Sequence, residues 1–133
     1  MARIVIAYAA AALAMAVLDL SWLSYFSKAV FEPTVGSLLA ERTNMAAAVL
    51  FYVLYVAGVL LFAVSPALRA ASGTTALLLG AAFGFFAYMT YDLTNMATLK
   101  TWPLWMAAID IAWGAFVTAI AATAGYLAAS RIA

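Results

Sequence analysis

The chain has 133 residues, of which 70% are hydrophobic and 8% charged, and its formal net charge is +1. An ordinary soluble domain carries about 25% charged residues; with a mean hydropathy of +1.12, this chain is excluded from that class and reads as a single integral-membrane domain over residues 1–133. The lack of a basic block argues against a nucleic-acid partner, and the absence of Cys and His removes disulfides, haem or zinc held by those residues, and histidine-based triads.

Four apolar stretches follow one another, at about 4–26, 45–64, 74–97 and 103–128. Each is long enough, at about 1.5 Å per residue, to cross a hydrocarbon layer of roughly 30 Å as a helix. Helices are expected rather than barrel strands, because every backbone polar group must be satisfied inside the segment. Arg3 ahead of the first run raises the question of a cleaved leader, but the run spans and no polar mature domain follows it, so retention is expected. The loop after the first span contains Pro33, and Val35, Leu38, Leu39 and Arg42 form one stripe. A short helix lying on the membrane surface is expected there.

Turn chemistry sets the other boundaries. Thr43 and Asn44 are suited to cap the second helix, and Ser65-Pro66 is expected to end it, since proline lacks an amide and clashes with the preceding turn. Ser72-Gly73-Thr74 starts the third helix, and Pro103 sits in the first turn of the fourth. The short connections make successive helices antiparallel neighbours, giving an all-α four-helix bundle of up-down topology. Arg3, Arg69 and Arg131 on one side balance Lys28, Arg42 and Lys100 on the other. The N-terminal amine tips the positive-inside count toward both termini on the cytoplasmic side.

The most informative residues are three aspartates within the spans. Asp19 lies seven residues before the end of the first span, Asp92 near the end of the third, and Asp110 seven residues after Pro103. The up-down order brings all three to one side of the bilayer, roughly 8–12 Å from the helix ends. A charge at the bilayer centre costs about 2.5–3.5 kcal/mol on insertion scales, so the three are expected to face a shared interior pocket. Lys28 and Lys100 are the nearest basic candidates. Asp19 with Trp22, and Asp110 with Trp113, stand three apart on one helix face, and each indole N–H needs an acceptor. On the third span Phe85, Tyr88, Asp92 and Asn95 form a stripe in which Tyr88, Asp92 and Asn95 are expected to line the cavity. Tyr55 on the second span is a further inward candidate beside Tyr52. The four tryptophans also fit an interfacial belt, Trp102 and Trp105 more readily than Trp22 and Trp113. Gly80 and Gly84 form a GxxxG face that admits a close helix, and a homo-oligomer is expected to use it.

These residues lie in runs that resemble a known family. DLSWL at 19–23, LFYVLYVAG at 50–58, FAVSPAL at 62–68, AYMTYDLTNMATLKTWP at 87–103 and DIAWG at 110–114 are similar to the predicted membrane proteins of DUF2177. The resemblance covers nearly the whole chain. It implies a bacterial single-domain membrane protein and an association with enzymes that modify membrane fatty acids, and it brings no mechanism or substrate.

The leading functional expectation is a pocket in which Asp19, Asp92 and Asp110 hold a cation, an amine or a lipid headgroup, shaped by Trp22, Tyr88, Asn95 and Trp113. The three carboxylates also make a divalent cation a candidate ligand, and membrane lipid the expected partner. The alternatives are an oligomeric proton-coupled transporter, a lipid-modifying enzyme or its membrane partner, and a structural interaction protein held together by its aspartates. No nucleophile or cofactor loop is legible, so an enzymatic role is left open.

Overall fold

The computed structural model describes residues 1–39 and 42–132. Four helices long and apolar enough to cross a membrane run through it: α1 Ala2–Leu38, α2 Met45–Ala70, α3 Gly73–Thr98 and α4 Leu104–Ser130. Asn44 caps α2 by accepting the Ala47 N–H at 3.1 Å, and Ser72 caps α3 by accepting the Thr75 N–H at 3.1 Å, as the turn chemistry predicts. Ala71 takes the left-handed conformation (φ 50°) that turns the chain between α2 and α3.

Two expected boundaries are corrected, and both involve proline. The first helix does not stop near Phe26 to leave a separate surface helix. It continues through a π-helical stretch, Leu23–Phe31, into a final turn containing Pro33. Ser65-Pro66 does not end α2 either, because Leu60–Val64 is π-helical and the helix runs on to Ala70. In each case the wider winding lies just before the proline. The Glu32 N–H bonds Ser27 O, and the Ser65 N–H bonds Leu60 O, five residues back. A looser turn relieves the clash between the proline ring and the carbonyl four residues earlier, which would otherwise break the helix. Val35, expected on a surface stripe, is buried with Phe26, Trp102, Met106 and Ala107, while Leu38, Leu39 and Arg42 are exposed. Residues 40–41 of that stripe lie outside the described residues.

The bundle is organised around α4, whose inward residues are mostly small: Ala107, Gly114, Thr118, Ala121, Ala122, Gly125 and Ala129 are all buried. Small residues let backbones approach closely, which matters in lipid, where apolar burial against a neighbour gives little advantage over burial in acyl chains. Gly80 and Gly84 of α3 are buried against α4 of the same chain. A Cβ at Gly80 would stand 2.8 Å from Ala122 Cβ, and one at Gly84 would overlap the Gly114 carbonyl and lie 2.6 Å from Thr118 Oγ1. The expected oligomer contact through Gly80 and Gly84 is therefore replaced by an internal one. Antiparallel order is visible in the contacts: Ala7 meets Gly125 near the termini, and Asp19 meets Trp113 at the other end. The Arg3 Nε–H also reaches Ala129 O at 3.4 Å, so both chain ends share one side. Replacing Gly84 with alanine should force α3 and α4 apart at a cost of about 1–3 kcal/mol. Thermal unfolding in detergent checks this, and a melting temperature equal to that of the unchanged chain would contradict the packing.

Candidate functional site

At the end of the bundle away from the termini, α1, α3 and α4 each place one aspartate inward. Asp19, Asp92 and Asp110 are 5%, 0% and 6% exposed, so all three carboxyls leave the lipid face as the topology predicts. They are not equivalent. Asp19 is held by two donors from other helices: Tyr52 Oη–H donates to Oδ2 at 2.8 Å and Trp113 Nε1–H to Oδ1 at 3.1 Å. Asp92 Oδ1 accepts from Trp102 Nε1–H at 3.3 Å. Asp92 Oδ2 is buried without an N–H or O–H donor. Asp110 is its acidic neighbour on α4.

The expected basic partners do not take part. Lys28 and Lys100 are exposed, and neither is among the groups acting on Asp19, Asp92 or Asp110. The acidic groups act on one another instead, with Asp110 in electrostatic reach of both Asp92 and Asp19.

A cavity of about 430 Å³ opens beside them, with Asp19 and Asp110 in its wall. That is within the roughly 300–1,000 Å³ of small-molecule sites. The rest of the lining is largely aromatic: Trp22, Phe31, Phe51, Tyr52, Tyr55, Tyr88, Tyr91 and Trp113, with Leu23 and Ala87. Trp22 is packed between Phe26 and Trp113, its ring 4.2 Å from the first and 4.3 Å from the second, the two indoles within 6° of parallel. The Tyr55 hydroxyl pairs with Thr118 Oγ1 at 2.8 Å, which fixes the inner wall. Tyr88 lies over Gly114, where any Cβ would overlap its ring, so the glycine of the DIAWG run sets the depth of that phenol. Among the described residues, neither the Tyr88 hydroxyl nor the Asp110 carboxyl has an N–H or O–H partner outside the carboxyl pair, and both belong to the cavity wall.

The expected site residues divide accordingly. Asp19, Trp22, Tyr88, Asp110 and Trp113 line the cavity, whereas Asp92 stands behind Asp110, and Asn95 is outside the lining next to Tyr91. Phe85 of the same stripe is 43% exposed and faces outward. A carboxylate metal centre is not assembled: among the described residues no group of three or more His, Cys, Asp or Glu is arranged to hold a metal ion. Nor does Trp113 serve the aspartate of its own helix, because its N–H crosses to Asp19. Trp102, which the sequence places with the interfacial belt, is the donor to Asp92, and Tyr52 is a donor that spacing does not single out. The signal for both was the need of each buried carboxylate for donors, which sequence cannot assign to a partner on another helix.

A family model described as predicted membrane protein, DUF2177, matches residues 4–127. No curated protein matches the chain, and no solved structure does.

Trp102 and Trp105 separate a working hydrogen bond from a belt. Trp102→Phe should cost roughly 1–3 kcal/mol of stability, since it strips the indole donor from a buried carboxyl. Trp105→Phe, at a residue 52% exposed, should leave stability within about 0.5 kcal/mol of the unchanged chain. Thermal melts of the two variants side by side check this, and equal losses would contradict it.

Proposed function

The chain belongs to the DUF2177 family of predicted membrane proteins and is a multi-pass membrane protein, and on that premise we propose that its acidic aromatic cavity binds an organic cation, an ammonium group above all. The observation that carries this reading is the pairing of Asp19 and Asp110 in one cavity wall, while Lys28 and Lys100 are both exposed. Buried carboxylates are tolerated when paired, and an uncompensated one costs far more than a surface charge. A bound ammonium supplies the missing charge and up to three N–H donors.

The remaining chemistry favours an organic cation over a metal. Calcium takes 6–8 oxygen ligands at about 2.3–2.6 Å, and the cavity wall offers two carboxylates among aromatic rings. Rings of Tyr55, Tyr88 and Tyr91 suit an alkylated ammonium, which is attracted by aromatic faces and sheds its hydration more readily than a bare metal ion. In this reading Asp110 and the Tyr88 hydroxyl contact the ligand, Asp19 supplies the second charge, and Trp22 and Trp113 form the rigid wall. Asp92 orients Asp110 from behind. With both termini in the cytoplasm, the orientation favoured by the charge count, the cavity lies in the outer leaflet of a bacterial inner membrane.

Titration of the purified chain in a neutral detergent with tetramethylammonium or ethylammonium should raise its unfolding temperature. At 100 times the dissociation constant the stabilisation should be about 2.7 kcal/mol. Asp110→Asn should abolish the effect while the protein remains folded, and calcium or magnesium should not reproduce it. No stabilisation by either organic cation, or an undiminished effect in the Asp110→Asn variant, would overturn the reading.

A further inference from the structure

The acidic cavity is not closed off from the lipid. The buried residues of α2 begin only at Tyr55, and Met45, Val49, Leu50, Val53 and Leu54 of its first turns are exposed. On the facing side of α1, Leu20 is 65% exposed and Leu23 49%. Between the two helices runs a groove of about 340 Å³, lined by Ala16, Leu20 and Leu23 on α1, by Met45, Ala48 and Tyr52 on α2, and by Thr43 ahead of α2. Leu23 and Tyr52 belong to both the groove and the cavity, so the two spaces adjoin. The Tyr52 hydroxyl at this junction is turned inward onto Asp19.

An apolar groove within a bilayer excludes water and is filled by hydrocarbon. Its inner neighbour carries carboxylates without a basic partner. From the adjoining groove and cavity we infer that the ligand is a membrane amphiphile whose ammonium head sits at Asp19 and Asp110 and whose alkyl chain lies in the groove between α1 and α2. This rests on the ammonium reading of the cavity and extends it to the chain and the route of entry. The amphiphile arrives sideways from the surrounding leaflet, past Leu23 and Tyr52. Those two side chains then form the threshold where the polar head leaves the hydrocarbon, and the Tyr52–Asp19 hydrogen bond holds one side of that threshold open.

The test compares tetramethylammonium, which has no chain, with dodecyltrimethylammonium, which has the same head and a chain, on the full protein in nanodiscs. Ala48→Trp fills the groove from a residue that is not itself part of the cavity wall. It should weaken dodecyltrimethylammonium by about tenfold or more and leave tetramethylammonium unchanged. Because partition into the bilayer is the same for both proteins, the comparison isolates the groove. Equal dodecyltrimethylammonium affinity in the two proteins would overturn the inference while the ammonium reading stands. Failure of both tetramethylammonium and ethylammonium to bind the unsubstituted chain would remove the ammonium reading and this inference with it. A dodecylammonium probe with a photoreactive group on its chain gives a second readout that needs no variant. Labelling should concentrate on Ala16, Leu20, Met45 and Ala48, and labelling spread evenly over the lipid-facing surface would equally overturn the groove.

Discussion

A carboxylate inside a bilayer must find its donors, its counter-charge or its proton within the protein, because hydrocarbon offers none of them. Three such groups at one level impose most of what is distinctive about this end of the bundle. Asp19 draws Tyr52 from α2 and Trp113 from α4, so a single side chain ties three helices together. Asp92 draws the Trp102 indole from the loop preceding α4 and meets Asp110 across the α3–α4 seam. Among the described residues the opposite half of the bundle holds no buried carboxyl. It closes instead on small residues such as Ala7, Ala11, Ala63, Ala67, Ala121 and Ala122, each at most 1% exposed.

The close packing and the polar end depend on each other. Gly80 and Gly84 let α3 lie directly on α4, and that approach brings Asp92 to Asp110. Gly114 leaves room for the Tyr88 ring, which is thereby set among Asp19, Tyr52, Tyr55 and Asp110. Over the first turns of α2 the side chains are exposed, and a groove between α1 and α2 adjoins the cavity there.

Much of this was legible before any coordinates. Four hydrophobic runs and three antiparallel reversals are enough to place Asp19, Asp92 and Asp110 at one depth, since that inference needs only helix rise and chain order. Asn44 and Ser72 act as caps because their side chains satisfy amides within one turn, which is a local matter. Long-range pairings were not legible. The D-x-x-W spacing suggested that Trp113 belongs with Asp110, whereas the helix crossing hands its N–H to Asp19. Trp102 has the composition and position of a belt residue, and only the tertiary path of the loop turns it onto Asp92. Gly80 and Gly84 read equally well as an oligomer face or an internal seam, because the sequence shows a smooth surface and not what lies against it. Pro66 reads as a helix end and Pro33 as the opening of a separate short helix. A π-helical stretch ahead of each one absorbs the clash, and nothing in the sequence marks that local rewinding.

The central claim is that the three aspartates converge on one cation-binding cavity rather than bracing the helices separately. A density map of the protein in a lipid nanodisc, resolved well enough to see side chains, tests this most directly. The account predicts Asp19 and Asp110 facing a common space, with Tyr52 and Trp113 on the first, Asp92 against the second, and density for a cationic head between them. Carboxyl groups directed into lipid, or separated by packed side chains with no common space, would contradict it.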